Sequence, residues 1–331
     1  MPQINRRTLL AGAAAAGIAA VAAKAAQDDM LTPPDRLAGK SILITGCSSG
    51  FGRLMAEDFA RKGAKVFATM RNLPRPEADE LRALAAAEQL DLHVIAIDVT
   101  DDDQVTAGVA EAERIAGGGL EVLVNNAGIS TAGPIEIQDM AATRLLFETN
   151  VFGPHRMARA VLPGMRARKA GQIFNVTSQL GRVIVPAYGQ YSPTKFALEA
   201  MSEQLAYELV PHGIDVTIIE PGGYPTEIWQ NANRLTQGLL DRADERHLAG
   251  YPALVEQLRN RSGGGGNTDP MDVPNAIAAI IAMPPGTRPL RRPVHPGAKP
   301  QVPINEVSAK VQVDWLGQSP YGPWIEAVHN V

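Results

Sequence analysis

The sequence predicts an α/β fold: one doubly wound parallel sheet with helices on both faces, in a single domain. Three observations predict it. Short apolar runs alternate with helix-period stretches from residue 41 to residue 220, the pattern of stacked strand–helix–strand units. A glycine-rich turn, Thr45-Gly46-Cys47-Ser48-Ser49-Gly50-Phe51-Gly52, follows the first apolar run and opens a helix. No break in the alternation before Pro221 marks a second domain, although 331 residues would allow two.

Strands are expected at residues 41–45, 65–69, 92–97, 120–124, 172–177 and 214–220, where continuous apolar runs suit strands covered on both faces. Helices are expected over 50–62 and 196–210. A long helix is expected after Asp139, bent near Gly153-Pro154 because proline removes an intrahelical hydrogen bond. Residues 222–270 lose the pattern. They hold Pro225, Trp229, Pro252 and the run Gly263–Gly266, and a segment this long reads as a substrate-covering loop. A short helix from Asp272 and a last strand near 292–294 complete a domain drawn over 40–300. The tail, 301–331, carries Trp315 and Trp324 and could pack on its own subunit or on a partner.

Bulk properties exclude several functions. The formal charge is −4, with no basic cluster interleaved with aromatics, so nucleic acid is not an expected partner. The single cysteine, Cys47, excludes an internal disulfide and a cysteine metal site, and the six histidines show no metal-ligand spacing. Residues 1–26 stand apart: Arg6-Arg7 precede an Ala/Gly-rich stretch, and Ala-Lys-Ala-Ala supplies small residues for cleavage. That resembles a twin-arginine export signal, followed by a linker at 27–39 and implying a periplasmic protein with no stable membrane association after cleavage. The alternative is an uncleaved leader, with the protein anchored or cytoplasmic. Losing Arg6, Arg7 and Lys24 would take the formal charge from −4 to −7.

Ligands of open α/β sheets bind beyond the carboxyl ends of the strands. Gly46, Gly50 and Gly52 sit at the first such end, where glycines allow a tight turn and close approach of a pyrophosphate to a helix N-terminus. An acid about twenty residues on would bind the ribose hydroxyl of NAD. Here Ala68-Thr69-Met70-Arg71-Asn72 offers Arg71 instead, whose guanidinium suits a 2′-phosphate. NADP(H) is therefore expected over NAD(H). The competing reading of Arg71 is a solvated surface residue.

Tyr191 and Lys195 stand four residues apart, on one face of a helix, with Ser178 thirteen residues upstream. A tyrosine with an ordinary pKa near 10 is a poor base at neutral pH, and a neighbouring ammonium would lower it. Ser178 can hold a substrate oxygen within reach of the phenol. A pair of this spacing arises by chance in many chains, so Ser178 at a strand end is what gives it weight. Tyr188 lacks a lysine partner and reads as wall or surface.

With these residues in place, the chain resembles the short-chain dehydrogenase/reductase family in its single-domain, Rossmann-type form, over residues 38–296. The glycine turn matches the family's TGxxxGxG, and Asn125-Asn126-Ala127-Gly128 matches its NNAG. Pro221, Gly222 and Thr226 match its PGxxxT. The resemblance implies cofactor contacts from Thr45, Gly46, Ser48, Ser49, Gly50, Phe51, Gly52 and Arg71. It implies others from Asp98, Val99, Asn125, Ala127, Gly128, Tyr191, Lys195, Pro221, Gly222 and Thr226. It implies catalysis by Asn150, Ser178, Tyr191 and Lys195, with Tyr191 as the proton donor or acceptor, Lys195 binding the nicotinamide ribose and Asn150 holding a water. Asp98 could instead cap a helix. The 70–71 strand end and the 191–199 helix start resemble the hydroxysteroid and retinol dehydrogenase branch. An apolar carbonyl or alcohol substrate follows, covered by the loop bearing Ile228 and Trp229, in a homodimer or homotetramer. The rival reading is a non-catalytic NADP-binding sensor.

Overall fold

A computed structural model describes residues 37–330, so the leader expected over 1–26 and most of the linker lie outside the described residues. From Leu37 onward the chain forms one compact unit. Its sheet has seven parallel strands: β1 (Ser41–Ile44), β2 (Lys65–Met70), β3 (Leu92–Ala96), β4 (Val122–Asn125), β5 (Gly171–Val176), β6 (Ile214–Pro221) and β7 (Arg291–Val294), in the order β3-β2-β1-β4-β5-β6-β7. Ile42 of β1 pairs with Val66 on one side and Val122 on the other. The expected strands are all present, shifted by a residue or two at their ends.

The helices are α1 (Gly50–Arg61), α2 (Pro76–Glu88), α3 (Asp102–Ala116), α4 (Met140–Phe147), α5 (Gly153–Arg168) and α6 (Tyr191–Leu209). They continue with α7 (Ile228–Arg242), α8 (Glu245–Leu248), α9 (Pro252–Arg259), α10 (Asp272–Ile281), α11 (Val302–Leu316) and α12 (Gly322–His329). Side-chain alternation along the strands divides the core. Ile42 and Ile44 face Met55 and Phe59 of α1 and Ile277 of α10, while Leu43 faces the other layer with Val109 of α3, Val161 of α5 and Ala206 of α6. Both faces are therefore apolar, which is why the strand sequences read as unbroken hydrophobic runs.

The long helix after Asp139 is interrupted, though just before the expected Gly153-Pro154. A wide, π-type turn at Glu148–Phe152 separates α4 from α5. Such turns recur at functional positions, and this one carries Asn150. Residues 222–270 are not a structureless loop. They fold into α7, α8 and α9, with a small apolar core in which Leu239, Leu240, Val255 and Leu258 join Ala132, Ile137 and Ala142. The tail packs on its own chain: Ile325 of α12 is buried, and the Tyr207 hydroxyl of α6 lies 2.8 Å from His329 Nε2.

Under α6 lies a buried charge cluster. Arg291 Nε donates to Glu199 at 2.9 Å, its Nη2 to Glu203 at 2.5 Å, and Glu220 stands 3.6 Å away. The Asn305 amide of α11 donates to both Glu220 oxygens, at 3.0 and 2.8 Å. Arg291 and Arg182 do not offset the desolvation, so burial, followed by the Glu199 charge, pushes Glu220 up to about 8. A carboxyl raised on folding keeps a proton that the unfolded chain has released, so this group costs stability as pH rises from 4.5 towards about 8. We expect wild type to lose more urea resistance than Glu220→Gln between pH 5 and pH 8. Parallel losses in the two proteins would contradict this assignment.

Candidate active site

A cleft of about 880 Å³ opens where the strands end. Each strand end contributes to its wall: Gly46 after β1, Arg71 after β2, Asp98 after β3, Gly128 after β4, Ser178 after β5, Gly222 after β6 and His295 after β7. The strand order reverses between β1 and β4, which parts the connecting loops and makes the crevice.

The first half is a backbone cradle. Gly46 has φ +75°, and a Cβ there would lie 2.9 Å from the Ala127 backbone. At Gly52 a Cβ would meet the Gly46 carbonyl oxygen at 2.2 Å, so the absent side chain lets α1 seat against the turn. Ser49 precedes α1 without a side-chain cap, leaving the first amides of the helix turned to the cleft beside Ser48, Gly50 and Phe51. Thr226 closes over this turn, 3.4 Å from the position of a Gly50 Cβ. Arg71 lines the wall and is exposed, with no ion pair to any described residue. A glycine cradle at a helix N-terminus and an unpaired guanidinium fit a phosphorylated dinucleotide.

Three of the expected cofactor contacts lie behind this wall. Thr45 is buried, its hydroxyl accepting from the Asn126 and Ala127 amides at 3.0 Å each, so it ties the β1 turn to the β4 turn. Asn125 donates to Asn175 at 2.8 Å, and Asn175 to Ser202 of α6 at 2.8 Å, which bolts β4 to β5 and α6. Gly52 contributes space. Asp98 does line the cleft, its Oδ1 accepting from the Thr100 amide and hydroxyl, while the capping of α3 falls to Asp101. Cys47 is fully buried behind the cradle, its thiol donating to the Ile44 carbonyl and pushed up to about 12 by burial.

The second half gathers Ser178, Tyr191 and Lys195 on the cleft wall with Asn150 behind them, all nearly buried, at exposures of 8%, 9%, 4% and 1%. Lys195 Nζ donates to the Val176 carbonyl at 3.0 Å and sits 5.7 Å from the Tyr191 ring centroid. Burial lowers its ammonium to about 8, opposed by the Glu199 charge one turn on. The Tyr191 phenol differs from expectation. Burial pushes it up to about 12, and the group that pulls it down is the Ser178 hydroxyl, not the ammonium. The phenol therefore holds its proton at neutral pH and is fitted to donate it. Asn150 is also spent differently: its Oδ1 accepts from the Ile129 amide at 2.9 Å, and its Nδ2 donates to the Ile129 carbonyl at 2.8 Å and to Thr194 at 3.1 Å. Its carboxamide pins the loop after β4 with both Nδ2 hydrogens and one lone pair of Oδ1.

Sequence reasoning missed several wall residues. Asn126 Nδ2 donates to the Thr45 carbonyl at 2.9 Å, holding the turn. Arg75 reaches the wall near Arg71 but is paired with Glu77. Tyr224 stacks edge-on against Phe51 at 5.5 Å, and Arg261 closes the far end beside Trp229, which was expected over the substrate. A helical signal for 228–242 was present in the spacing of Ala232, Leu235, Leu239 and Leu240.

Fold and cleft together define a doubly wound α/β protein with a dinucleotide cradle beside an acid–base cluster. The short chain dehydrogenase family description fits residues 40–236. The chain is 38% identical over 265 residues to the oxidoreductase YusZ of Bacillus subtilis, covering 78% of this chain and 90% of that one. It is 35% identical over 260 residues to human retinol dehydrogenase 8, covering 77% and 81%. Among solved structures, a gluconate 5-dehydrogenase of Burkholderia cenocepacia with NADP and tartrate matches with TM-score 0.56 at 29% identity, over 63% of this chain and 82% of that one. A family member of Burkholderia phymatum with NAD matches in fold, with TM-score 0.66 at 24% identity, over 86% and 97%. The chain belongs to the short-chain dehydrogenase/reductase family, on its retinol and hydroxysteroid dehydrogenase side. It is an oxidoreductase acting on CH–OH groups with NAD(P).

Because the Gly46 oxygen fills the space at Gly52, Gly52→Ala should cost about 1–3 kcal/mol by forced displacement. Thermal unfolding reads this, and an unchanged midpoint would show that α1 is free to shift.

Proposed function

We propose that the chain interconverts a carbonyl and an alcohol with NADP(H), Tyr191 acting as general acid or base on a substrate with an apolar body. The observation that carries this reading is the meeting of the buried Ser178–Tyr191–Lys195 cluster with the glycine cradle in one cleft. When bound, the nicotinamide would supply or accept the hydride. The residues of the chain do the rest. Ser178 donates to the substrate oxygen and fixes it at the phenol. Tyr191, its proton held by burial, delivers that proton to the oxygen in the reducing direction and recovers it in the oxidising one. Lys195, still an ammonium at neutral pH, is the cation of the site and would hold the ribose hydroxyls of the cofactor. Gly46, Gly50 and the α1 amides would hold the pyrophosphate, and Arg71 a 2′-phosphate. Leu145, Val185, Ile228 and Leu235 line the other end and would meet an apolar substrate body.

Tyr191→Phe should reduce kcat on the order of 10²–10⁴-fold while cofactor affinity stays within about twofold, since the change removes one proton-transfer group. A variant turning over near the wild-type rate would remove Tyr191 from this role. For the cofactor, fluorescence titration of wild type should favour NADPH over NADH, and Arg71→Ala should equalise the two. A preference surviving in Arg71→Ala would assign 2′-phosphate recognition elsewhere.

A further inference from the structure

Arg261 follows α9 and leans into the cleft between two aromatic rings. Its guanidinium carbon lies 5.6 Å from the Tyr188 ring centroid and 5.2 Å from that of Trp229. Both rings are themselves held. The Trp229 indole donates to the Tyr224 carbonyl at 2.7 Å, and Gly264, where a Cβ would come within 2.3 Å of the indole, lets the following chain close over it. Tyr188 sits one turn ahead of Tyr191. Stacking between two rings holds the guanidinium in place without consuming its hydrogen-bond donors.

Those donors lack an acceptor of matching strength. Arg261 has five N–H groups, and its hydrogen bond in the chain is Nη2 to the Tyr188 hydroxyl, at 3.5 Å, the outer limit for such a bond. No described carboxylate pairs with it. Among the described residues lining the cleft, Asp98 is the single acid, and it lies after β3, on the Arg71 side of the strand order. The exposed Arg234 of α7 adds another cation to the cleft wall. Arg53, Arg61, Arg75 and Arg288, by contrast, each have an acidic partner within 3.0 Å. A fixed cation with open donors, held against Tyr188 in the cleft that also contains the reacting phenol, is a receptor for an anion on whatever reacts there.

We propose that Arg261 binds a carboxylate carried by the substrate, so that the enzyme acts on oxo or hydroxy acids with an apolar body and an anionic end beside Tyr188. This rests on the oxidoreductase reading above, whose reaction it leaves unchanged: the acid group is bound, not transformed. Arg261 is a specificity residue, and its loss shows in KM and not in kcat.

The test compares 5-oxohexanoate with its methyl ester as substrates for wild type, Arg261→Gln and Arg261→Lys. Wild type should prefer the acid on the order of 30-fold in kcat/KM, the scale of a charge-paired hydrogen bond. Arg261→Gln should abolish that preference through KM for the acid, with the ester and NADPH affinity little changed, and Arg261→Lys should restore part of it. Equal use of acid and ester by wild type, an equal loss for both in Arg261→Gln, or a fall in NADPH affinity would overturn the assignment. A binding arm separates the two readings. Tryptophan fluorescence of the wild-type NADP⁺ complex should change saturably with hexanoate, not with hexanamide, and not in Arg261→Gln. Binding without turnover of either substrate would retain the anion site and discard the reaction; no response to hexanoate would discard the anion site.

Discussion

Helix α6 carries Tyr191 and Lys195 at its start and Glu199 and Glu203 along the same buried side, and Arg291 of β7 is what allows it to lie there. Two carboxylates turned into a sheet are costly to desolvate without a partner. The guanidinium meets both and reaches Glu220 of β6, so helix, two strands and, through Asn305, the tail share one hydrogen-bonded cluster. The cluster also reaches the chemistry. Glu199 lies one turn beyond Lys195 and favours its ammonium against the burial that would neutralise it. Position and charge at the site are thus set from behind the wall that displays it.

The cradle is set independently. It depends on the approach of α1 to the Gly46 carbonyl and on Thr45 and Asn126, whose bonds join the turns after β1 and β4. Two unrelated constraints, backbone contact on one side and buried charge on the other, bring the halves of the cleft to a common floor. Neither involves the helices of 228–259, which makes that segment the part of the molecule where the wall can differ without disturbing sheet or cluster.

Much of this was legible in the chain. Strands covered on both faces must be apolar throughout, so 41–44 and 122–125 announced themselves, as did a glycine turn between strand and helix. The residues facing the cleft followed from motif spacing, but their tasks did not. Thr45 and Asn125 belong to the motifs yet spend their polar groups on the protein, a fact set by partners about 80 and 50 residues distant. The Tyr191 phenol is shifted up and not down because burial outweighs the Ser178 hydroxyl bond, and burial is a property of the packed molecule. Residues 228–242 read as irregular because Pro225, Pro252 and the glycine run, all helix-breaking, lie on either side of a helical spacing. Arg261 was invisible for a plainer reason: its rings come from positions 188 and 229.

Cys47 sits in the turn of the cradle with its thiol bonded to the Ile44 carbonyl and no surface exposed. A thiol held neutral and out of water does not meet electrophiles or oxidants. It becomes reactive when the first βα turn lifts from the sheet. The sequence therefore contains a built-in clock: the rate at which a thiol reagent captures Cys47 counts openings of the very turn that grips the cofactor, and a bound dinucleotide would be expected to slow it.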